Sequence, residues 1–210
     1  EGAIASKFRN AGQTCICANR IYVQNSVFDE FTARLTAKVK AMKIGRGDEE
    51  GVQIGPLINE RGLEKVKAHV FDALQKGGKL VCGGKQHDAG ALFYEPTIIT
   101  NMKPDMILKD EETFGPVAGI FKFTDEADVI AQANDTRYGL ASYFYSNDLG
   151  QCFRVAEALE HGMVGINEPL LATESAPFGG MKESGYGREN SHYGMDDFVD
   201  IKYVLVGGIN

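Results

Sequence analysis

The sequence contains no apolar run near the roughly 20 residues that a membrane-spanning helix requires. Its opening stretch, "EGAIASKFRN", has neither the basic start nor the long apolar segment of a secretory signal. The expectation is a soluble, cytoplasmic protein. Cysteine is scarce: four in 210 residues is too few for a disulfide scaffold and suits a reducing compartment. Basic clusters are missing too. Lysine and arginine number 22 against 29 acidic residues, for a net charge of −7, and "KVKAMK" at 38–43 reads as a solvated helix face. Nucleic acid is therefore not expected as a partner. There is no internal repeat and no low-complexity segment.

What is present suits one large globular domain, or one with an appendage, at 43% hydrophobic residues. Glycine stands at 25 residues, well above the usual share of about 7%, which implies many tight turns or close backbone approaches. "RIYVQ" (20–24) reads as a strand. Ser26 and Asp29 have the spacing of a capping box ahead of a helix whose apolar face is Phe28, Phe31, Leu35, Val39 and Met42. Asn59 can cap a second helix with Leu63, Val66, Val70 and Leu74 on one face, stopped by Gly77-Gly78. "KLVCGG" and "YEPTIIT" read as strands. The alternation continues with a strand at 117–123, a helix at 125–135 with an acidic first turn, a strand at 140–146, a helix at 148–162 and a strand at 163–167. Such alternation predicts an α/β fold, a mainly parallel open sheet with flanking helices. A long loop spans 167–194, and long loops tend to be functional. "DFVDIKYVLV" (197–206) reads as a terminal strand whose open edge invites pairing with another subunit.

"FRNAGQTCICANR" (8–20) carries Cys15 and Cys17 with one residue between them. Structural zinc commonly wants paired Cys-x(2–4)-Cys spacing and four ligands, which this pair with distant Cys82 and Cys152 matches poorly. No metal site is expected. A Cys-His hydrolase would need one of His69, His87, His161 or His192, none of which sits in a motif. A nucleophile needing no dedicated histidine fits better. Cys15 follows a helix–turn element, and N–H groups of a helical turn beginning at "CICANR" would lower its pKa and stabilise an oxyanion. A buried, inert cysteine remains the alternative on spacing alone.

"FRNAGQTCICANR", "EETFGP" (111–116) and "PFGGMKESGYGRE" (177–189) resemble, in order, three motifs of the NAD(P)-dependent aldehyde dehydrogenase superfamily. The likeness covers essentially the whole chain. It is nearest to the succinate-semialdehyde branch, through "ADVIAQANDT", "GLASYFY" and "FRVAEALEHGMVGIN". The resemblance implies Cys15 as the catalytic nucleophile, its own N–H contributing to the oxyanion hole. It implies Glu112 on the nicotinamide ribose, Phe114 against the nicotinamide, and Phe178 as a wall of the substrate tunnel. Arg9 would grip the distal carboxylate of a semialdehyde, a role suited to a planar guanidinium. Cys17 would be a redox partner that traps Cys15 as a disulfide. NAD or NADP is the implied cofactor, and a homo-oligomer assembled through the C-terminal strand the implied assembly.

The sequence also departs from the family pattern. The family's dinucleotide-binding domain, its "ELGG" glutamate and an oxyanion-hole asparagine are not in these residues, and there is no "GxGxxG". The expectation is an excised catalytic domain at 1–194 and an oligomerisation strand at 195–210, inactive as an isolated fragment. Ala172 stands where the semialdehyde branch usually places a carboxylate-binding serine. Glutarate semialdehyde or another short ω-carboxy aldehyde therefore stays open beside succinate semialdehyde, as does a non-catalytic oligomerisation module of this fold.

Overall fold

The computed structural model of the chain describes residues 1–209. Asn210, the last residue of the expected C-terminal segment, lies outside them. In chain order the elements are α1 Gly2–Phe8, β1 Arg20–Gln24, α2 Phe28–Lys40, β2 Lys43–Ile44, β3 Val52–Ile54, α3 Glu60–Gln75, β4 Lys79–Cys82, β5 Thr97–Thr100, α4 Ile107–Asp110, β6 Val117–Phe123, α5 Glu126–Asn134, β7 Tyr138–Gly139, β8 Ala141–Phe144, α6 Leu149–Ala158, β9 Met163–Ile166 and β10 Met181–Lys182.

The central sheet has the order β1-β6-β5-β4. β1, β6 and β5 run parallel, and β4 is an antiparallel edge. A second, two-stranded piece pairs β8 with β9 in parallel. The expected mainly parallel sheet is thus present, with one reversed edge strand and in two separate parts. β5 is buried along its whole length, and β6 through its first five residues, because helices cover both faces. Alternation sorts their side chains. Ile99, Val117 and Phe121 pack with Leu63, Val66 and Val70 of α3. Ile98, Ala118 and Ile120 pack with Phe28, Leu35 and Val39 of α2 and with Phe8 of α1.

Helix ends follow local chemistry in most places. The Asn59 carboxamide accepts from the Gly62 N–H, Asp125 caps α5 and Asp148 caps α6. Gly77, at φ 91°, closes α3 in a Schellman arrangement: its N–H donates to Leu74 O and the Gly78 N–H to Ala73 O. The Ser26 capping box does not form. A 3-10 turn at Asn25–Val27 occupies that position, and α2 begins at Phe28 without a side-chain cap. The terminal strand expected at 197–206 is not a strand in the single chain. Residues 192–198 form 3-10 turns, 199–209 make no ladder, and Ile201, Val204 and Leu205 are exposed. A strand exists only through a hydrogen-bonding neighbour, and one chain supplies none there.

Candidate active site

The cysteine segment leaves α1 through three consecutive residues with positive φ: Asn10 at 50°, Ala11 at 55° and Gly12 at 76°. Glycine is required at the third, since a Cβ there would lie 2.1 Å from Gly115 O. The cysteine turn thereby packs directly on the backbone of the 111–116 loop. Gln13 fastens it further, accepting from the Ile58 N–H and donating to Pro56 O and Asn10 O. Thr14 to Cys17 is a single turn, closed by the Cys17 N–H on Thr14 O, rather than the start of a helix. Cys15 sits at its exposed corner. Among the described residues, its N–H donates to no protein acceptor. Cys17 is half-buried; its thiol pairs with the Thr14 hydroxyl at 2.7 Å and reaches Arg9 O at 3.8 Å. All four cysteines are free thiols.

Asn19 organises the facing loop. Its amide donates to Leu108 O and Glu111 O, and its carbonyl accepts from the Thr113 N–H. Buried His69 on α3 meets the Thr113 hydroxyl through Nδ1 at 3.0 Å. Glu112 is held between these anchors. Desolvation by the cleft wall raises its pKa, opposed by the Lys65 and Lys7 charges. Lys7 itself is 1% exposed, and burial lowers its pKa to about 8 against the pull of Cys17 and Glu112. The Tyr143 hydroxyl donates to Ile16 O at 2.8 Å, fixing β8 over the cysteine turn. Burial pushes its pKa up to about 12; charge on Cys17 adds to the rise, and Arg9 opposes it.

Cys15, Cys17, Asn19 and Glu112 line one cleft of about 1010 Å³. Glu112 also borders a shallower groove of about 330 Å³ with Phe114, Thr113, Gln13 and Lys65. Phe114 is 38% exposed there and held at φ 52°. A carboxylate and an open aromatic ring side by side fit one end of a nicotinamide nucleotide. Arg9 and Phe178 are not brought into the cleft lining. Arg9 is exposed beside the cysteine turn, while Phe178 pairs with Glu189 through two backbone hydrogen bonds in the 167–194 segment. Ala172 is exposed. No histidine hydrogen-bonds Cys15 among the described residues, so nothing here assembles a Cys-His pair. No group of three or more metal-ligating side chains is found among them, and no helix is long and apolar enough to cross a membrane. Lys7, Gln13, Asn19 and Tyr143 are site residues that motif reading did not single out. All lie in or beside the quoted motifs, but only their partners reveal their roles.

Comparison with known proteins agrees with this geometry. The sequence profile of the aldehyde dehydrogenase family matches residues 1–204. The succinate-semialdehyde dehydrogenase [NADP(+)] of Escherichia coli is 56% identical over 207 residues, covering 99% of this chain and 43% of that protein. A glutarate-semialdehyde dehydrogenase of Pseudomonas aeruginosa is 55% identical, covering 100% of this chain and 43% of its own length. The crystal structure of succinate-semialdehyde dehydrogenase from Burkholderia pseudomallei superposes with a TM-score of 0.95 at 57% identity, over 97% of this chain and 42% of that one. The chain belongs to the aldehyde dehydrogenase family, and it spans less than half the length of the relatives it matches.

Proposed function

We propose that this chain is the catalytic portion of an NAD(P)-dependent aldehyde dehydrogenase that oxidises a short ω-carboxy aldehyde, succinate semialdehyde before glutarate semialdehyde. The observation that carries this is Cys15: an exposed thiol at the corner of a braced turn, in the cleft that Glu112 shares, with its own N–H undonated. In this reading the Cys15 thiolate adds to the aldehyde carbon, and the carbonyl electron pair moves onto oxygen. The Cys15 N–H faces that oxyanion, a contact that strengthens as charge develops. The nicotinamide, when bound, supplies the hydride acceptor, and Glu112 and Phe114 would hold its end of the cofactor. Loss of hydride leaves a thioester on Cys15, and water then releases the acid and returns the thiol.

Arg9, at the rim of the turn, is assigned to the distal carboxylate and Phe178 to the tunnel wall. Residues 195–210 are assigned to subunit assembly, because the exposed apolar side chains and unladdered backbone within 199–209 need a partner. Glu112 and Phe114 alone would leave most of a dinucleotide's surface uncovered, so the isolated chain is expected to show no turnover.

The test is a chimera in which this chain replaces the matching stretch of the Escherichia coli relative. Succinate semialdehyde with NAD or NADP should give reduced cofactor, and Cys15→Ala should give none. Turnover that survives Cys15→Ala, or a folded chimera inert to both semialdehydes, would overturn the proposal.

A further inference from the structure

Two titratable side chains of α3 grip the segment that carries Glu112. His69 and Asp72 lie three residues apart, so they share one face of the helix. The Asp72 carboxylate accepts the Ile107 N–H at 2.8 Å and pairs with Lys76 at 2.7 Å. Ile107 opens α4, and α4 runs directly into Glu111.

His69 holds the other end of this segment. Its ring is 3% exposed and reaches both neighbours of Glu112. Nδ1 lies 3.0 Å from the Thr113 hydroxyl, and Nε2 lies 3.7 Å from the Glu111 carboxylate. A carboxylate only accepts, so Glu111 favours the ring proton on Nε2 and leaves Nδ1 to accept the Thr113 O–H. Burial lowers the pKa of the ring, the Lys65 charge lowers it further, and Glu111 and Asp72 pull the other way. The ring is therefore neutral at pH 7, with one donor and one acceptor, each turned to one side of Glu112.

Carboxylate, imidazole and hydroxyl in this order have the connectivity of a nucleophilic triad. Thr113 is 1% exposed, so no substrate reaches its hydroxyl. The relay has a different use. Phe114 follows at φ 52°, a conformation costly for a bulky side chain that persists only where its surroundings hold it. Asn19 holds main-chain atoms of this segment, Glu111 O and the Thr113 N–H. His69 holds the Thr113 side chain, one residue before the kink.

We infer that His69 is a positioning residue for the cofactor: by gripping Thr113 it sets the kink that turns Glu112 and Phe114 toward the nicotinamide end of the dinucleotide. The inference rests on the proposed roles of those two residues. His69 touches neither Cys15 nor Arg9, so its loss should weaken the cofactor and spare the aldehyde.

Three near-isosteric changes test this. His69→Asn puts a carboxamide where Nδ1 stands and keeps an acceptor for Thr113. His69→Gln puts it where Nε2 stands and loses that acceptor. Thr113→Val keeps the shape and loses the hydroxyl. On this chain alone, amide hydrogen exchange at Thr113 should quicken about tenfold in His69→Gln and Thr113→Val and less than about threefold in His69→Asn. In the chimera, fluorescence titration with NADPH should show Kd raised about tenfold in the same two variants, and their combination should be no worse than either alone. The KM for succinate semialdehyde should move less than about threefold in all of them. Thr113→Val decides the matter if either His69 variant fails to fold. Equal effects of asparagine and glutamine would make the ring a space-filler and overturn the inference. A fast Thr113 amide with an unchanged NADPH Kd, or an aldehyde KM that rises in step with Kd, would overturn it too. The Kd pattern is read without turnover, so a chimera that binds NADPH in this pattern but oxidises neither semialdehyde sinks the dehydrogenase reading alone.

Discussion

Lys7→Met is the most informative single change to the fold. Lys7 lies in α1, 1% exposed, with its pKa lowered from 10.5 to about 8 by burial. A lowered lysine pKa means that the charged form is worse off in the folded chain. Between pH 8 and 10.5 the unfolded chain holds the extra proton, so this group's contribution to stability rises with pH; below pH 8 the full penalty applies. At about 1.36 kcal/mol per pKa unit, the penalty is roughly 3 kcal/mol at pH 7 and about half that at pH 9.5. Methionine keeps the length and removes the charge. Urea unfolding at 25 °C should place the variant above the wild type at pH 7, by roughly 1 M in midpoint for a slope of 2–3 kcal/mol/M. The gap should about halve at pH 9.5. The burial also has a functional side. The ammonium's charge is felt by Cys17 and Glu112, so the stabilised variant should lose turnover in the chimera. A variant less stable than wild type by the same amount at both pH values would refute the reasoning. The lysine would then be fully compensated by its partners.

Asn19→Ala deletes three hydrogen bonds to Leu108, Glu111 and Thr113 and leaves their backbone groups unmet. It should lower stability by about 2–3 kcal/mol in urea titration and displace Glu112. Gly12→Ala puts a Cβ 2.1 Å from Gly115 O at φ 76°. It should cost more than about 3 kcal/mol, whereas Gly47→Ala, with nothing within 4 Å, should stay within about 0.5 kcal/mol in the same assay. Mild peroxide should join Cys15 and Cys17, two thiols and one peroxide giving a disulfide and two waters. Iodoacetamide labelling of Cys15 should fall, recover with dithiothreitol, and show no such reversible loss in Cys17→Ser.

The strands and helices of the core were legible because burial on both faces writes continuous apolar runs such as "VAGIF", and one-sided burial writes the α3 periodicity. The caps Asp125 and Asp148 emerged only from the structure, whereas Asn59 announced its helix by chemistry local to the chain, as did the acidic first turn after residue 125. Ser26 did not, because a 3-10 turn took its place and no sequence rule ranks the two. The C-terminal segment has strand composition but no strand, since pairing depends on a partner that propensity does not encode. At the site, motif resemblance picked out Cys15 and Glu112, which share a cleft, and Phe114 beside them. Asn19, Gln13 and Tyr143 stayed hidden because each acts across long sequence separations: Asn19 reaches 89 to 94 residues along the chain and Tyr143 reaches back 127. Lys7 was hidden for another reason. Burial of a charge is a property of packing, and helix α1 shows no sign of it in sequence.

The central claim is that the Cys15 thiol is the nucleophile, and 4-nitrophenyl acetate tests it on this chain without any cofactor. After brief exposure, the peptide Asn10–Arg20 is sequenced by fragmentation mass spectrometry, which separates Cys15 from Cys17. The account predicts acetyl on Cys15, ahead of Cys17 and of buried Cys82 and Cys152, and none at that position in Cys15→Ala. Acetyl on Cys17 or elsewhere with Cys15 unmodified would contradict it.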